Sequence, residues 1–117
     1  MIKAIFTRQK DGQLSSVTLT GHAGSGKHGF DIVCASVSTL AINFVNSLEV
    51  LADCQAAVNL NEVEGGYMAI TIPPHDNQEK VQLLFESFLL GMTSLAKDSS
   101  KFCLLYTSPS PRDLSTS

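Results

Sequence analysis

The chain has 117 residues, enough for one domain with a modest hydrophobic core and too few for two. Hydrophobic residues make up 44% of the chain and charged residues 16%, a balance typical of a globular protein. The formal net charge is -3 and the eight Lys and Arg residues are scattered, which argues against nucleic-acid binding through overall charge.

Compartment and membrane contact can also be judged from the sequence. We find no apolar run that approaches the roughly 20 residues of a membrane span. Residues 1–6 lack the basic start and long apolar stretch of a signal peptide. The three cysteines are widely spaced and fit reduced thiols better than a disulfide framework. We therefore expect a cytoplasmic protein without membrane contact.

The first elements predicted are two strands joined by a turn. Residues 2–8 read as a strand, Asp11-Gly12 marks the turn, and residues 14–20 alternate with Val17 and Leu19 on one side. A glycine-rich loop over residues 21–30 follows, with little intrinsic backbone preference.

A long helix is predicted next. Asp31 is a good N-cap residue, and apolar residues at three- and four-residue spacing continue to Ala52. The helix is expected to end near Asp53, and Cys34 would occupy its third position.

The second half of the chain repeats the order strand, strand, helix. Residues 56–63 and 67–72 predict a hairpin, Asp76 with Glu79 resembles a capping box, and an apolar stripe from Val81 to Leu95 predicts the second helix. Residues 102–106 suit a last strand. The order ββαββα(β) predicts a two-layer α+β domain, with a mainly antiparallel sheet and both helices on one face.

The domain is expected to span residues 1–103. Residues 104–117 become rich in Ser and Pro, offer nothing to bury, and are interpreted as a disordered tail. A translated adaptor would have the same composition, so the tail need not be native sequence.

The residues that carry chemistry concentrate between the second strand and the first helix. Cys34 lies at the predicted helix start, where unpaired N–H groups and the helix dipole lower the pKa of a thiol. His22 ends the second strand, and an imidazole beside the thiol would form a thiolate–imidazolium pair. His22 shares the strand parity of Thr18 and Thr20, so the sequence leaves open whether it faces Cys34. A buried cysteine that only fills space has the same local signature.

A phosphate-binding loop is the second interpretation of this segment. Gly21-x-x-x-x-Gly26-Lys27 matches most of a Walker A motif between a predicted strand and a predicted helix. It departs where His28 replaces the Ser or Thr that would bind Mg²⁺, and a helix that starts at Asp31 starts too late. Hairpin-connected strands also disagree with the parallel crossovers of phosphate-loop folds.

The third interpretation is a metal site built from His22, His28, Cys34 and His75. These residue types suit zinc, but their spacing matches no compact ligand pair such as C-x₂-C. We therefore expect no metal and no cofactor. Cys54 and Cys103 have no acid–base partner visible in the sequence and are assigned to packing.

The whole segment resembles the signature of the ribosomal-processing cysteine proteases called Prp. That signature is Gly-His at the end of a strand, a flexible loop, and Gly-x-Asp-Ile-Val-Cys-Ala running into a helix, with a Ser four residues past the Cys. The matching positions here are Gly21-His22, Gly29, Asp31-Ile32-Val33-Cys34-Ala35 and Ser38. The resemblance covers residues 1 to about 103 and favours the Cys–His interpretation.

The resemblance implies an activity and partners. Proteins of this family are cysteine endopeptidases that remove the N-terminal extension of a bacterial large-subunit ribosomal protein. The resemblance also implies a homodimer. The negative net charge and the scattered basic residues, rather than the resemblance, are the reason to expect no direct contact with nucleic acid. The alternatives are a non-catalytic ribosome-associated binding module, which would be expected to have lost His22 or Cys34, and the nucleotide binder described above.

The resemblance also implies the roles of individual residues. Cys34 would be the nucleophile, and His22 the general base and later the general acid. The implied supporting residues are Asp31, Ser38 and Gly21. The implied flexible gating loop contains Gly24, Gly26 and Gly29.

Overall fold

The computed structural model describes residues 1–22, 28–61 and 66–109. The elements are β1 (Ile2–Arg8), β2 (Leu14–Thr20), α1 (His28–Ala52), β3 (Ala57–Asn61), β4 (Tyr67–Thr71), α2 (Gln78–Asp98) and β5 (Cys103–Pro109). This order confirms the predicted ββαββα(β) arrangement, including the last strand.

The five strands form one sheet in the order β3-β4-β2-β1-β5. The pairs β1–β2, β2–β4 and β3–β4 are antiparallel, whereas β5 runs parallel to β1. The mainly antiparallel sheet predicted from the sequence is therefore confirmed. Because β5 lies beside β1, Ile2 is opposite Cys103, and the last strand begins where the first one does.

Both helices cover one face of the sheet, and the core lies between the two layers. Val17 and Leu19, which the alternation predicts to share a side, are both fully buried. Phe44 of α1 stacks on Phe88 of α2 with ring centroids 4.7 Å apart, and Phe6 of β1 meets Phe88 at 5.4 Å. One aromatic cluster thus joins the sheet to both helices, and each such ring pair adds roughly 0.5–1.5 kcal/mol beyond its buried area.

Helix α1 begins at His28, three residues before the predicted start at Asp31. The prediction was wrong because it relied on an N-cap residue type, whereas tertiary contacts hold the first turn. The rings of Phe30 and Phe102 pack edge to face with centroids 5.8 Å apart. A Cβ on Gly29 would lie 3.5 Å from the Phe102 ring, so that ring packs closely on the helical backbone.

Helix α2 begins at Gln78 rather than at the predicted Asp76–Glu79 capping box, which is not formed. Asn77 occupies the N-cap position without a side-chain capping hydrogen bond. Its Nδ2 donates instead to the carbonyl oxygen of Ala52 at 2.7 Å. This bond satisfies a carbonyl at the end of α1 and ties the two helices together.

Helix α1 also bears on the expected absence of membrane contact. Gly29–Ala52 is long and apolar enough, by length and composition alone, to cross a membrane, but a single helix of this kind is weak evidence for a membrane span. The core helix of a soluble protein passes the same test. In α1 an apolar stripe that includes Val37, Ala41 and Leu48 is fully buried within the fold.

Strand β5 reaches Pro109 and is paired with β1 along its whole length. The first six residues assigned to the Ser/Pro-rich tail, 104–109, therefore belong to the sheet. The hydrogen bonds between parallel strands join backbone N–H and C=O groups, which every residue except proline has, so a segment rich in Ser can pair as a strand until a proline ends it. Residues 110–117 lie outside the described residues.

Candidate active site

The end of β2 and the second turn of α1 bring Cys34 against Gly21. The Cys34 thiol donates to the carbonyl oxygen of Gly21, with Sγ 3.8 Å from that oxygen. This carbonyl belongs to the peptide group that leads into His22. The structure therefore places the thiol beside the backbone that carries the histidine, although the two residues are 12 positions apart in the sequence.

Gly21 has a backbone conformation that only glycine adopts easily. Its φ is +79°, and its N–H donates to the carbonyl oxygen of Gly66 at 3.0 Å. A Cβ here would collide with the carbonyl oxygen of Met1 and lie 3.4 Å from the Cα of Ile2. This turn ends the extended run of β2, so the strand parity of Thr20 does not carry through to the next residue.

His22 is half-buried, and its Nδ1 is shielded from solvent without a hydrogen-bond partner among the described residues. Burial lowers the pKa of this imidazole below its ordinary value of 6.5. His22 is therefore mainly neutral at pH 7, and a neutral imidazole can accept a proton from a thiol.

The earlier start of α1 changes the electrostatic argument for Cys34. Cys34 is the seventh helical residue rather than the third, so it lies in the second turn. The N–H groups left without partners inside the helix belong to the first turn, about 5 Å away along the axis. The dipole effect falls off within that turn, so it assists a thiolate at Cys34 less than the sequence predicted.

The structure also gives the positions of most other residues predicted to belong to the site. Asp31 is in the first turn of α1, where its charge suits the helix dipole and where it is not the N-cap. Ser38 is half-buried and lies one turn beyond Cys34 on the same helix face. Gly29, predicted in the gating loop, is helical. Gly24 and Gly26 lie outside the described residues.

A second thiol near the site escaped the sequence analysis. Cys103 is buried, and its pKa is raised mainly by burial and further by the nearby Cys34. No local signal relates the two cysteines, because only the pairing of β5 with β1 brings them together. Cys54 is buried elsewhere in the core, and burial raises its pKa as well.

The two alternative interpretations of the segment can be compared with the structure. Residues 1–22, 28–61 and 66–109 contain no group of three or more His, Cys, Asp or Glu residues that could hold a metal ion. For the phosphate loop, one objection was wrong, because α1 starts directly after Lys27. The stronger objection is upheld, since β2 pairs antiparallel with both of its neighbours.

The structure therefore places a buried thiol against the backbone that leads into a half-buried histidine, where the second strand ends, and cysteine proteases use these two residue types as nucleophile and base. The chain belongs to the Prp family: the profile of the family described as Cysteine protease Prp matches residues 1–103. It is accordingly a cysteine protease of that family, and the resemblance drawn from residues 21–38 is confirmed.

Relatives with known names or structures agree with this assignment. The ribosomal processing cysteine protease Prp of Bacillus subtilis is 33% identical over 101 residues, which cover 84% of this chain and 89% of that protein. The crystal structure of SMU.848 from Streptococcus mutans superposes with a TM-score of 0.88 at 56% identity, covering 94% of this chain and 96% of that one.

A third relative was crystallised with a peptide. The essential ribosomal processing protease Prp of Staphylococcus aureus, in complex with a substrate peptide, has a TM-score of 0.81 at 25% identity. The match covers 92% of this chain and 99% of that one. The same enzyme was also solved with a covalently linked product peptide.

Proposed function

We propose that this chain removes the N-terminal extension of a bacterial large-subunit ribosomal protein, with Cys34 as nucleophile and His22 as general base. The observation that carries the proposal is the contact of Cys34 Sγ with the Gly21 carbonyl, directly beside His22, in a chain of the Prp family. Relatives named ribosomal processing proteases support the substrate class.

The chemistry would begin with proton transfer. The neutral imidazole of His22 accepts the proton of the Cys34 thiol, and the thiolate attacks the carbonyl carbon of the scissile bond. The carbonyl becomes an oxyanion, and first-turn N–H groups of α1 are the nearest helix donors that could hold it. His22 then protonates the leaving amine, and a thioester to Cys34 is left for water to hydrolyse, again with His22 as base.

The resting geometry disfavours attack. Cys34 is only 3% exposed, and its thiol donates to a carbonyl, an interaction that stabilises the neutral form. A substrate carbonyl can reach Sγ only after neighbouring groups move. We propose that Gly21, Asp31 and Ser38 support the pair: Gly21 through its carbonyl, Asp31 through the helix dipole, and Ser38 through its place one turn beyond the thiol.

The direct test is mass spectrometry of the protein incubated with the N-terminally extended ribosomal protein. We expect one cut that frees the extension, lost in Cys34→Ala and in His22→Ala. Cys54→Ala is the matched control, because it removes a buried thiol away from the site, and it should still cut. Binding of the extended protein without any cut by the folded wild type would refute the proposal and favour a non-catalytic binding module.

We also propose that the protein is cytoplasmic, from the sequence features described above, and that it is a homodimer, as the family resemblance implies. Light scattering coupled to size-exclusion chromatography measures the mass directly. A mass of one chain at micromolar concentration would contradict the dimer.

A further inference from the structure

A second cavity lies at the end of the sheet opposite the candidate active site. It encloses about 330 Å³, the size of a small ligand site, and most of its exposed lining is polar. Four glutamines from the β1–β2 turn and from the first two turns of α2 contribute to this lining: Gln9, Gln13, Gln78 and Gln82. We call this cavity the glutamine groove.

The groove and the candidate active site are separated by the length of β1. Leu14, which lines the groove, pairs with Arg8 at the last residue of β1. Gly21 follows Thr20, which pairs with Lys3 near the first residue of β1. Strands rise about 3.3 Å per residue, so the seven residues of β1 place the two regions about 20 Å apart. A molecule in the groove therefore does not touch the thiol, and any role of the groove in cleavage is to bind another part of the substrate.

One glutamine of the groove already binds a peptide backbone. Gln82 accepts a hydrogen bond from the N–H of Leu14 and donates one to its carbonyl oxygen, each at 2.8 Å, as a residue of a neighbouring strand would. The side-chain amides of Gln9, Gln13 and Gln78 make no hydrogen bond to the described parts of the chain. Each of these three amides thus offers donors and an acceptor to a further segment of extended chain.

The charge beside the groove favours a cationic partner. A shallower opening of about 380 Å³ shares three of the four glutamines with the groove and adds the carboxylates of Asp11, Glu79 and Glu86. Arg8 pairs with Glu86, whereas no cation within the described ranges pairs with the other two carboxylates. A protein that binds ribosomal RNA carries Lys and Arg side chains against the phosphates, so a ribosomal protein supplies the opposite charge.

We propose that the glutamine groove is an exosite, a binding site outside the catalytic centre, for an extended and positively charged segment of the substrate on the C-terminal side of the cut. This inference rests on the proposed function, and it extends recognition from the scissile bond to the body of the ribosomal protein. The free amides pair with the backbone of that segment, and Asp11 and Glu79 attract its Lys and Arg side chains. An extended chain needs at least about six residues to cover about 20 Å, so a peptide confined to the neighbourhood of the cut does not reach the groove.

The test compares kcat/KM for two substrates, the whole extended ribosomal protein and a short peptide that ends about four residues beyond the cut. The double variant Gln9→Ala with Gln78→Ala removes two free amides, and each lost hydrogen bond weakens binding by roughly two- to tenfold. We expect kcat/KM for the whole protein to fall by about tenfold, while the short peptide is cut at the wild-type rate. Gln55→Ala is the matched control, because Gln55 is exposed and lines neither opening, and it should leave both rates unchanged.

The contribution of charge is tested by Glu79→Gln. This variant should lower kcat/KM for the whole protein severalfold at low salt, and its difference from the wild type should shrink as salt is added, because salt screens exposed charges. The short peptide should again be cut at the wild-type rate. If the ratio of the two rates stays at its wild-type value in the double variant and in Glu79→Gln, the exosite is overturned, whether both rates fall together or neither changes.

A binding measurement separates this inference from the proposed function. Calorimetry with Cys34→Ala, which lacks the nucleophile, measures the affinity for the processed ribosomal protein without its extension. We expect this protein to bind, and to bind more weakly once Gln9 and Gln78 are also replaced by alanine, a result that supports the exosite even if the wild type cuts nothing. Cleavage of the whole protein without groove-dependent binding of the processed form would uphold the peptidase and overturn the exosite.

Discussion

Replacing Gly21 by alanine tests whether one backbone position holds the candidate site together. Gly21 has φ +79°, a region that costs an L-residue about 1–2 kcal/mol. The new Cβ would also lie closer than 3.0 Å to the carbonyl oxygen of Met1 and 3.2 Å from its carbonyl carbon. That backbone cannot easily withdraw, because Ile2 is fully buried and its N–H donates to Phe102.

The expected loss of stability follows from these two costs. Forcing a methyl group into packed surroundings adds about 1–3 kcal/mol to the backbone strain. We therefore expect Gly21→Ala to lower the free energy of unfolding by about 2–5 kcal/mol, or Tm by roughly 8–20 °C at about 4 °C per kcal/mol. Movement of the Gly21 carbonyl would also displace the Cys34 thiol, so cleavage should fall by more than the folded fraction does.

Gly12→Ala is the matched control for this prediction. Gly12 has φ +90°, but a Cβ there would meet nothing within 4 Å. It should lose only the strain, about 1–2 kcal/mol, and keep full cleavage activity. Calorimetry or urea unfolding of both variants measures the difference. Equal losses for Gly21→Ala and Gly12→Ala would show that the contact with Met1 is relieved at no cost, and would refute the reasoning.

Three further predictions concern charge and hydrogen bonding. Arg8 and Glu86 form a two-point pair at 2.8 and 3.0 Å, and the hydrogen bond from Arg8 lowers the pKa of Glu86 below 4.5. The pair should stabilise the fold above pH 4.5 and lose this effect as pH falls through the lowered pKa of Glu86. Because the Glu86 side chain is 46% exposed, Glu86→Gln should cost about 0.2–1 kcal/mol at pH 7 and progressively less as the pH falls below that pKa; equal melts at pH 7 would contradict this. The Gln82 side chain accepts a hydrogen bond from the Leu14 N–H and donates one to the Leu14 carbonyl oxygen, each at 2.8 Å. Gln82→Leu should therefore lower the free energy of unfolding, measured in urea, by about 2–3 kcal/mol. A loss under about 0.5 kcal/mol would show that these two hydrogen bonds do not stabilise the fold. Burial lowers the pKa of His22, so kcat/KM should be retained as the pH falls to 6.5 and should decline only below that pH. The free energy of unfolding should also decrease below pH 6.5, because the unfolded chain binds the proton more readily than the folded one. A decline of kcat/KM that begins above pH 6.5 would argue against His22 as the base.

Much of the fold could be predicted because its signals are local. Alternation in residues 14–20 identified Val17 and Leu19 as the buried side of β2, and period-2 alternation needs only neighbouring residues. The stripes of α1 and α2 likewise follow from helical spacing. The motif of residues 21–38 was specific enough to indicate the family, because it combines several residue types at fixed offsets.

The errors occurred where long-range contacts override local preference. Propensity is a weak prior, and a segment rich in glycine predicts no helix start. Yet α1 starts at His28, since Phe102 packs on Gly29 and Phe30 from the far end of the chain. The last strand was likewise predicted to end at residue 106, where the Ser- and Pro-rich composition begins, but pairing with β1 extends it to Pro109.

The sequence by itself determined the element order, the core faces of the strands and helices, and the pair of residues, His22 and Cys34, on which the proposed chemistry depends. Only the tertiary structure decided what surrounds that pair. The turn at Gly21 sets the thiol against a carbonyl, burial keeps the imidazole neutral, and the parallel entry of β5 brings Phe102 and Cys103 to the helix start. The reason is that periodicity and motifs depend on neighbours in the chain, whereas burial and contact depend on residues up to a hundred positions away, which only the packed sheet brings together.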